Sequence, residues 1–333
     1  MKYIYTDINY KELGVLKNAS VDFEVGKYNI ATNDFTLSIS LSYWDRNFNK
    51  DCIFYTCNEN TEFGGVIDGK KVDTSKNTIT FKGKTFRGIL EKEYVQPPSN
   101  QAYYIANGEA NTIINQLINN KFGSLYTVDN IGLSDITVNY QIRDLNLLEA
   151  IEKMLYQADI PSRLDVSFYD GKVHLQAIPV VDLSELLQYD NSYGVTMIAE
   201  TANNSYNHIL ALGKGELTDR LRVNLYLQDD GTWSTTENVN YSGFKRITYK
   251  YDNTNEEDES SLIENAISAV EQNNGTDTLE VSFTTDEASL FDIVGAKENI
   301  TGMEFKEQIT KKILKDTITG IISSTNIEYK VGD

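Results

Sequence analysis

Apolar residues recur at every second position along much of this chain. Between Ala19 and Ser42 two segments alternate, with Val21, Phe23 and Val25 in the first and Phe35, Leu37, Ile39 and Leu41 in the second. A period of two predicts antiparallel strands with one buried and one wet face. From Thr61 to Pro98 the apolar positions Val66, Ile79, Phe81, Phe86, Ile89 and Leu90 keep strand spacing, and Asp68-Gly69 and Lys82-Gly83 are expected to interrupt them as turns. With the opening stretch and the CIFYTC run this predicts roughly six or seven strands before Pro97, about what a small barrel needs. Pro97-Pro98 cannot continue a ladder and is expected to mark a domain edge.

Beyond the prolines the period changes. Ile113, Ile114, Leu117, Ile118 and Phe122 form a helical stripe between Asn107 and Gly123. In a second helix, Asn146 and Glu149 stand at capping-box spacing ahead of Leu147, Leu148, Ile151, Leu155 and Ala158, and Pro161 stops it. RLDVSFY and KVHLQAI flank Asp170-Gly171, a hairpin signal. Strands resume at Tyr206, with a turn at Asp229-Asp230-Gly231. One acidic helix, 256–272, places Leu262, Ile263, Ala266, Ile267 and Val270 on one face, with carboxylates near its N-terminus where they favour the dipole. Strands then run to the end. The expected fold is mainly β with an α+β insert, divided as a β-rich segment 1–98, an α+β insert 99–200 and a second β-rich segment 201–333 carrying the acidic helix.

Composition narrows the function. Of 333 residues, 30 are Lys or Arg and 49 are Asp or Glu, a formal charge of −19, so duplex DNA and anionic membranes would be repelled. The first residues lack an unbroken apolar run, and no stretch of about 18 apolar residues could span a bilayer, so a chain made in the cytoplasm without a helical anchor is expected. Cys52 and Cys57 point to opposite strand faces, so a local disulfide is not expected, and two Cys without CxxC make no zinc site. Tyrosine, at 21 residues, suits half-buried strands and subunit interfaces.

Candidate chemistry is sparse. The run Glu256, Glu257, Asp258, Glu259 lacks the spacing and central Gly of a calcium loop and is read as a solvated helix start. His174 falls on the polar face of its strand and is expected to be exposed, whereas His208 shares a face with Leu210 and Leu212 and is expected to be packed. No GxSxG or HExxH motif accompanies either. Gly213-Lys214-Gly215 lacks the rest of a phosphate loop and reads as a strand-end turn. No catalytic residue, cofactor or metal is expected. Against the global charge, Lys306, Lys311, Lys312 and Lys315 cluster in one strand. Lysines commonly guard an edge strand; alternatively these contact an acidic neighbour or DNA. Gly64, Gly65, Gly83 and Gly88 are read as sites of bulges or close strand approach.

Two ordered sets of residues carry a resemblance. The first is E-x-GGxID-x-KxVDT, then F-x-G-x-TFRGIL, then Pro-Pro, through Glu62, Gly64, Gly65, Ile67, Asp68, Val72, Asp73, Thr74, Gly83, Phe86, Arg87, Gly88, Ile89, Leu90, Pro97 and Pro98. The second is NHILALGKGEL-x-DR, including Gly213, then Y-x-YD before the acidic helix, then F-DIVGA-x-x-x-x-TG, including Asp292. Together they resemble the Gp37-like tail proteins of long-tailed phages and phage-derived particles, relatives of the baseplate hub that closes a tail tube. The resemblance implies two tail-tube-like antiparallel β-barrels with an inserted helix-and-hairpin domain, and a non-enzymatic homotrimer that joins a six-fold tube or distal tail protein to a three-fold spike. It further implies a place in the tail baseplate after assembly in the bacterial cytoplasm, with DNA passing without specific binding. A cell-wall-degrading hydrolase and a host-surface binding protein of the same particle are the alternatives.

Overall fold

The computed structural model describes residues 1–57, 61–190, 196–200, 206–273, 278–283, 288–297, 299–300, 302, 304–319 and 322–331. The chain is mainly β, 46% strand and 16% helix. It forms two compact units, one of residues 1–198 with 280–333 and one of residues 199–279.

The larger unit opens with β1 (Tyr3–Thr6), β2 (Glu12–Leu16), β3 (Ala19–Gly26), β4 (Asp34–Ser40), β5 (Ile53–Thr56), β6 (Gly64–Asp73) and β7 (Thr78–Thr85). All pairings among them are antiparallel, in the order β3-β4-β7-β6-β5-β1-β2. Alternation sends Val21, Phe23, Val25, Phe35, Leu37 and Ile39 into one core, as their spacing predicts. Aromatic rings fill that core, with Phe35 and Phe54 edge to face at 4.6 Å and Phe48 and Phe81 at 4.8 Å.

Two expected turns are strand interior instead. Asp68 and Gly69 lie within β6 beside a bulge after Ile67, and Lys82 and Gly83 lie within β7. The chain reverses at residues 74–77, where Asp73 accepts the Ser75 and Lys76 amides, each at 3.1 Å. A turn-forming residue type is only a local preference, and Gly83 is needed in the strand because a Cβ there would meet the Val66 carbonyl oxygen at 2.0 Å.

A second core lies under α1 (Phe86–Ile89), β8 (Tyr94–Val95), β9 (Tyr104–Glu109), α2 (Ala110–Ile118), β10 (Tyr126–Val128), β11 (Thr137–Ile142), β12 (Leu145–Asn146), α3 (Leu147–Tyr156), β13 (Ser162–Tyr169) and β14 (Lys172–Pro179). The cap of α2 is Glu109, whose carboxylate accepts the Asn111 and Thr112 amides, and not Asn107. Asn146 caps α3 as predicted, accepting the Glu149 amide at 3.0 Å. The β13–β14 hairpin turns at Asp170 and Gly171, both at positive φ, as the Asp-Gly pair demands.

After β15 (Gln188–Asp190) and β16 (Thr196–Glu200) comes the smaller unit, with β17 (His208–Leu212), β18 (Arg222–Leu227), β19 (Trp233–Ser234), β20 (Thr248–Asp252) and α4 (Glu259–Asn273). Its sheet runs β19-β18-β17-β20. Leu262, Ala266 and Val270 of α4 pack on Ile209, Ala211, Val223 and Leu225, the face their spacing predicts.

The chain returns to the larger unit through β21 (Thr278–Phe283), β22 (Ile293–Lys297), β23 (Glu304–Thr319) and β24 (Ile322–Val331). β23 pairs with β24 on one side and with β22 and β3 on the other, so it lies inside the sheet and the expected lysine-guarded edge is not an edge. Among the described residues the sheet follows an open path from β16 to β2, and no closed barrel is found.

Candidate functional site

The motif TFRGIL folds into a tight corner between β7 and α1. Thr85 caps the short helix by accepting the Gly88 amide at 3.1 Å and donates its own hydroxyl to the Asn33 carbonyl at 3.0 Å. Glycines make the corner possible. A Cβ at Gly88 would lie 2.0 Å from Asn33 O, at Gly64 2.3 Å from the Phe86 ring, and at Gly65 2.4 Å from Lys84 O. Gly69 has nothing within 4 Å of the same position. Replacing Gly83 or Gly88 with alanine is therefore expected to cost about 3 kcal/mol, whereas Gly69→Ala is expected to be neutral or to stabilise by about 0.5 kcal/mol. Urea unfolding of the three variants checks this.

The corner delivers one charged side chain to the interior. Arg87, 2% exposed, donates from Nε to Glu62 at 3.1 Å and from Nη2 to the Leu164 carbonyl at 3.0 Å. Its Nη1 lies 3.8 Å from Glu152 Oε1 of α3, and its guanidinium sits 5.3 Å from the Phe291 ring centre. Glu152 spends its other oxygen on the Tyr28 amide at 2.9 Å. Nearby, Arg163 of β13 lies 3.5 Å from both Asp165 and Asp292. Asp292 also accepts the Ser289 amide at 2.9 Å.

Two guanidinium groups thus face four carboxylates. Burial pushes the Glu152 carboxyl up to about 7, with Arg87 drawing it back only in part. Burial raises Asp165 too, opposed by Arg163 and reinforced by Glu62. Beside the cluster lies a cavity of about 370 Å³, walled by Tyr28, Glu152, Tyr156, Arg163, Leu164 and Phe291. The arrangement can hold a proton and lock elements together.

The structure brings Glu62, Gly64, Gly65, Gly83 and Gly88 to this corner and Asp292 to the adjoining arginine. Asp73 is apart, at the end of β6, where it accepts the amides of the β6–β7 turn. Gly213 belongs to the smaller unit, where a Cβ would approach Glu256 O at 2.8 Å.

The lysines of β23 already have company within the chain. Lys306 pairs with Asp182 at 2.5 Å, and that ammonium, followed by Ser184, holds the Asp182 carboxyl at about 2. Lys311 pairs with Glu24 at 3.2 Å. Lys312 sits 5.0 Å from the Phe63 ring centre and 5.3 Å from that of Tyr329. Lys315 is exposed, opposite Asp22 in the β23–β3 register.

His174 is not exposed as its strand pattern predicts. Its Nδ1 lies 2.8 Å from Asp129, its ring stacks on Tyr169 at 3.4 Å, and its Nε2 is buried without a partner. The cause is a parallel neighbour, β10, which carries Asp129 just beyond its end. His208 is packed as expected, between Thr248 and Asn224, and burial lowers its pKa. Among the described residues no group of three His, Cys, Asp or Glu could hold a metal ion. No helix there is long and apolar enough to cross a membrane.

Three solved structures share this architecture over nearly their whole length. The prophage MuSo2 43 kDa tail protein from Shewanella oneidensis matches with a TM-score of 0.55 at 11% identity, covering 100% of this chain and 98% of that one. A chain of the phage P2 baseplate, in its activated conformation with Ca, gives 0.54 at 14% identity, covering 100% and 99%. The chain has the fold of phage tail and baseplate proteins. The tail protein from Neisseria meningitidis MC58 extends the set, at 0.52 and 11% identity with 99% and 96% covered. No protein-family profile matches the sequence, and no curated protein matches it.

Proposed function

We propose that this chain is a non-enzymatic structural subunit of a phage-type tail, a baseplate hub of the Gp37-like kind. Three copies close the tail tube and adapt its six-fold symmetry to a three-fold spike. In this reading its two β-rich regions act as tube-like wall segments, and the helix-and-hairpin region between them is a buttress. The four lysines of β23, Lys315 foremost, offer a contact to an acidic neighbour, and the net charge of −19 keeps passing DNA from sticking. The observation that carries the proposal is end-to-end agreement with a baseplate chain, 100% of this chain against 99% of that one. Imaging of particles carrying a tagged copy tests it. Added density at the end of the tube, in threes, is expected; density along fibres or scattered on the outer tail would overturn it.

A further inference from the structure

The cavity beside the arginine cluster is walled entirely by the larger unit. Two of its wall residues carry a buried polar atom without a hydrogen-bond partner, Glu152 Oε1 on α3 and Arg163 Nε on β13. Only 10% of the Arg163 side chain is exposed, and Asp292 Oδ1 stands 3.5 Å from its Nε, a pairing of charges without hydrogen-bond geometry. A buried donor or acceptor left unmet is costly, so both atoms need a partner from outside the chain.

Water would satisfy those two atoms but gain nothing from the rest of the wall. Three aromatic side chains, Tyr28, Tyr156 and Phe291, line the same cavity. Tyr156 is 70% exposed at the end of α3, and Phe291 is buried at a φ of 73°, a conformation rare for a bulky residue. Charge of either sign is disfavoured in a ligand. An anion would compete with Asp165 and Asp292 for Arg163, and with Glu149, 2.9 Å from Lys153, for that lysine. A cation would stand against Lys27, Lys153 and Arg163 on the same wall. What remains is a neutral molecule with hydroxyls on its edge and an apolar face. A hydroxyl accepts from Arg163 and donates to the Glu152 carboxylate, or accepts from that carboxyl when it is protonated.

We propose that this cavity is a binding site for one pyranose ring of a neutral saccharide, held by hydroxyl contacts to Arg163 and Glu152 and by its C–H face against Tyr156. The volume of about 370 Å³ lies within the ~300–1,000 Å³ of small-ligand sites and holds one sugar ring with room for water. Asn29 and Gln157, the exposed carboxamides among the wall residues, both donate and accept and so can bond further hydroxyls. The site goes beyond the hub reading and does not rest on it.

Saturation-transfer NMR of the full chain with glucose, galactose and N-acetylglucosamine tests it, with L-arginine and glucuronate as charged counterparts. At least one neutral sugar is expected to bind with a Kd on the order of 1 mM, and neither charged probe. Tyr156→Ala, at an exposed position, is expected to weaken that binding about tenfold with an unchanged melting temperature. Arg163→Lys keeps the charge but removes the Nε donor, and is expected to weaken it at least as much. Phe244→Ala, which removes a 96% exposed ring from the smaller unit, is expected to bind like the wild type. Tighter binding of maltotriose or chitotriose than of their monomers would place the ligand in a polymer, and equal binding in a free sugar; both support the site. No sugar bound up to about 20 mM would mean that the cavity holds water only and would overturn the proposal. So would sugar binding untouched by Tyr156→Ala and Arg163→Lys, or a charged probe bound by the wild type and lost in those variants. Particle images that place the subunit away from the baseplate would sink the hub reading and leave this site standing.

Discussion

Replacing Arg87 with methionine is expected to cost about 3–5 kcal/mol of folding stability, the largest effect of any single substitution considered for this chain. The guanidinium is almost wholly buried and meets Glu62 and the Leu164 carbonyl at hydrogen-bond distance, with Glu152 just beyond. Methionine fills much of the volume, so the penalty is electrostatic: a buried carboxylate loses its cation and a buried carbonyl loses its donor. Glu62→Gln should therefore recover part of the loss in the Arg87→Met background while destabilising the wild type, a coupling of at least about 1 kcal/mol. Urea midpoints of the four proteins in that cycle provide the measurement. A cost below about 1 kcal/mol for Arg87→Met would mean that the cluster does not hold the corner to β13.

Local signals in the sequence were reliable where one segment decides its own structure. The alternation of Val21, Phe23 and Val25, the Asp170-Gly171 hairpin and the Asn146 cap all depend on neighbours a few residues away, and all stand as read. Most of what failed depended on partners far along the chain. The Lys-rich strand reads as an edge because nothing in its own residues shows that β3 will lie against it, nearly the whole chain length away. His174 alternates correctly, yet Asp129 reaches it from β10 and encloses it. Asp68-Gly69 and Lys82-Gly83 carry turn chemistry, but cross-strand pairing across β6 and β7 overrides that preference.

The buried cluster left one signal that could have been used. Arg87 stands between Phe86 and Gly88 in a segment otherwise ready for burial, and an arginine placed there must find a carboxylate. Glu62 is 25 residues upstream in the same motif, a plausible partner across one hairpin. Glu152 and Arg163 had no such local cue, since their pairing follows from how α3 and β13 dock against the sheet.

Acidification from pH 8 to pH 5 is expected to raise the contribution of Glu152 to stability by about 2.5 kcal/mol. The direction follows from its folded-state pKa, about 7, lying above the ordinary 4.5. Between those values the folded protein binds a proton that the unfolded chain does not, so the unfolding free energy falls as pH rises through the window and levels off above it. The groups facing this carboxyl explain why it prefers to be neutral. Arg87 on α1 and Lys27 in the turn after β3 attract its charge, as does the Tyr28 amide, while Glu91 repels it, and burial outweighs the attractions. Glu152→Gln imitates the protonated form. The variant should exceed the wild type by less than about 1 kcal/mol at pH 5 and by about 3 kcal/mol at pH 8, so the difference between their urea-unfolding free energies isolates this group from the other carboxylates. Glu109 works in the opposite sense and far lower, because its folded pKa of about 2 means that its share is lost only as pH falls below the usual carboxylate range. A wild-type-minus-variant difference that stays flat between pH 5 and pH 8 would show that the Glu152 carboxyl is ionised throughout, fully paired with Arg87, and that the proton-holding role assigned to the cluster is wrong.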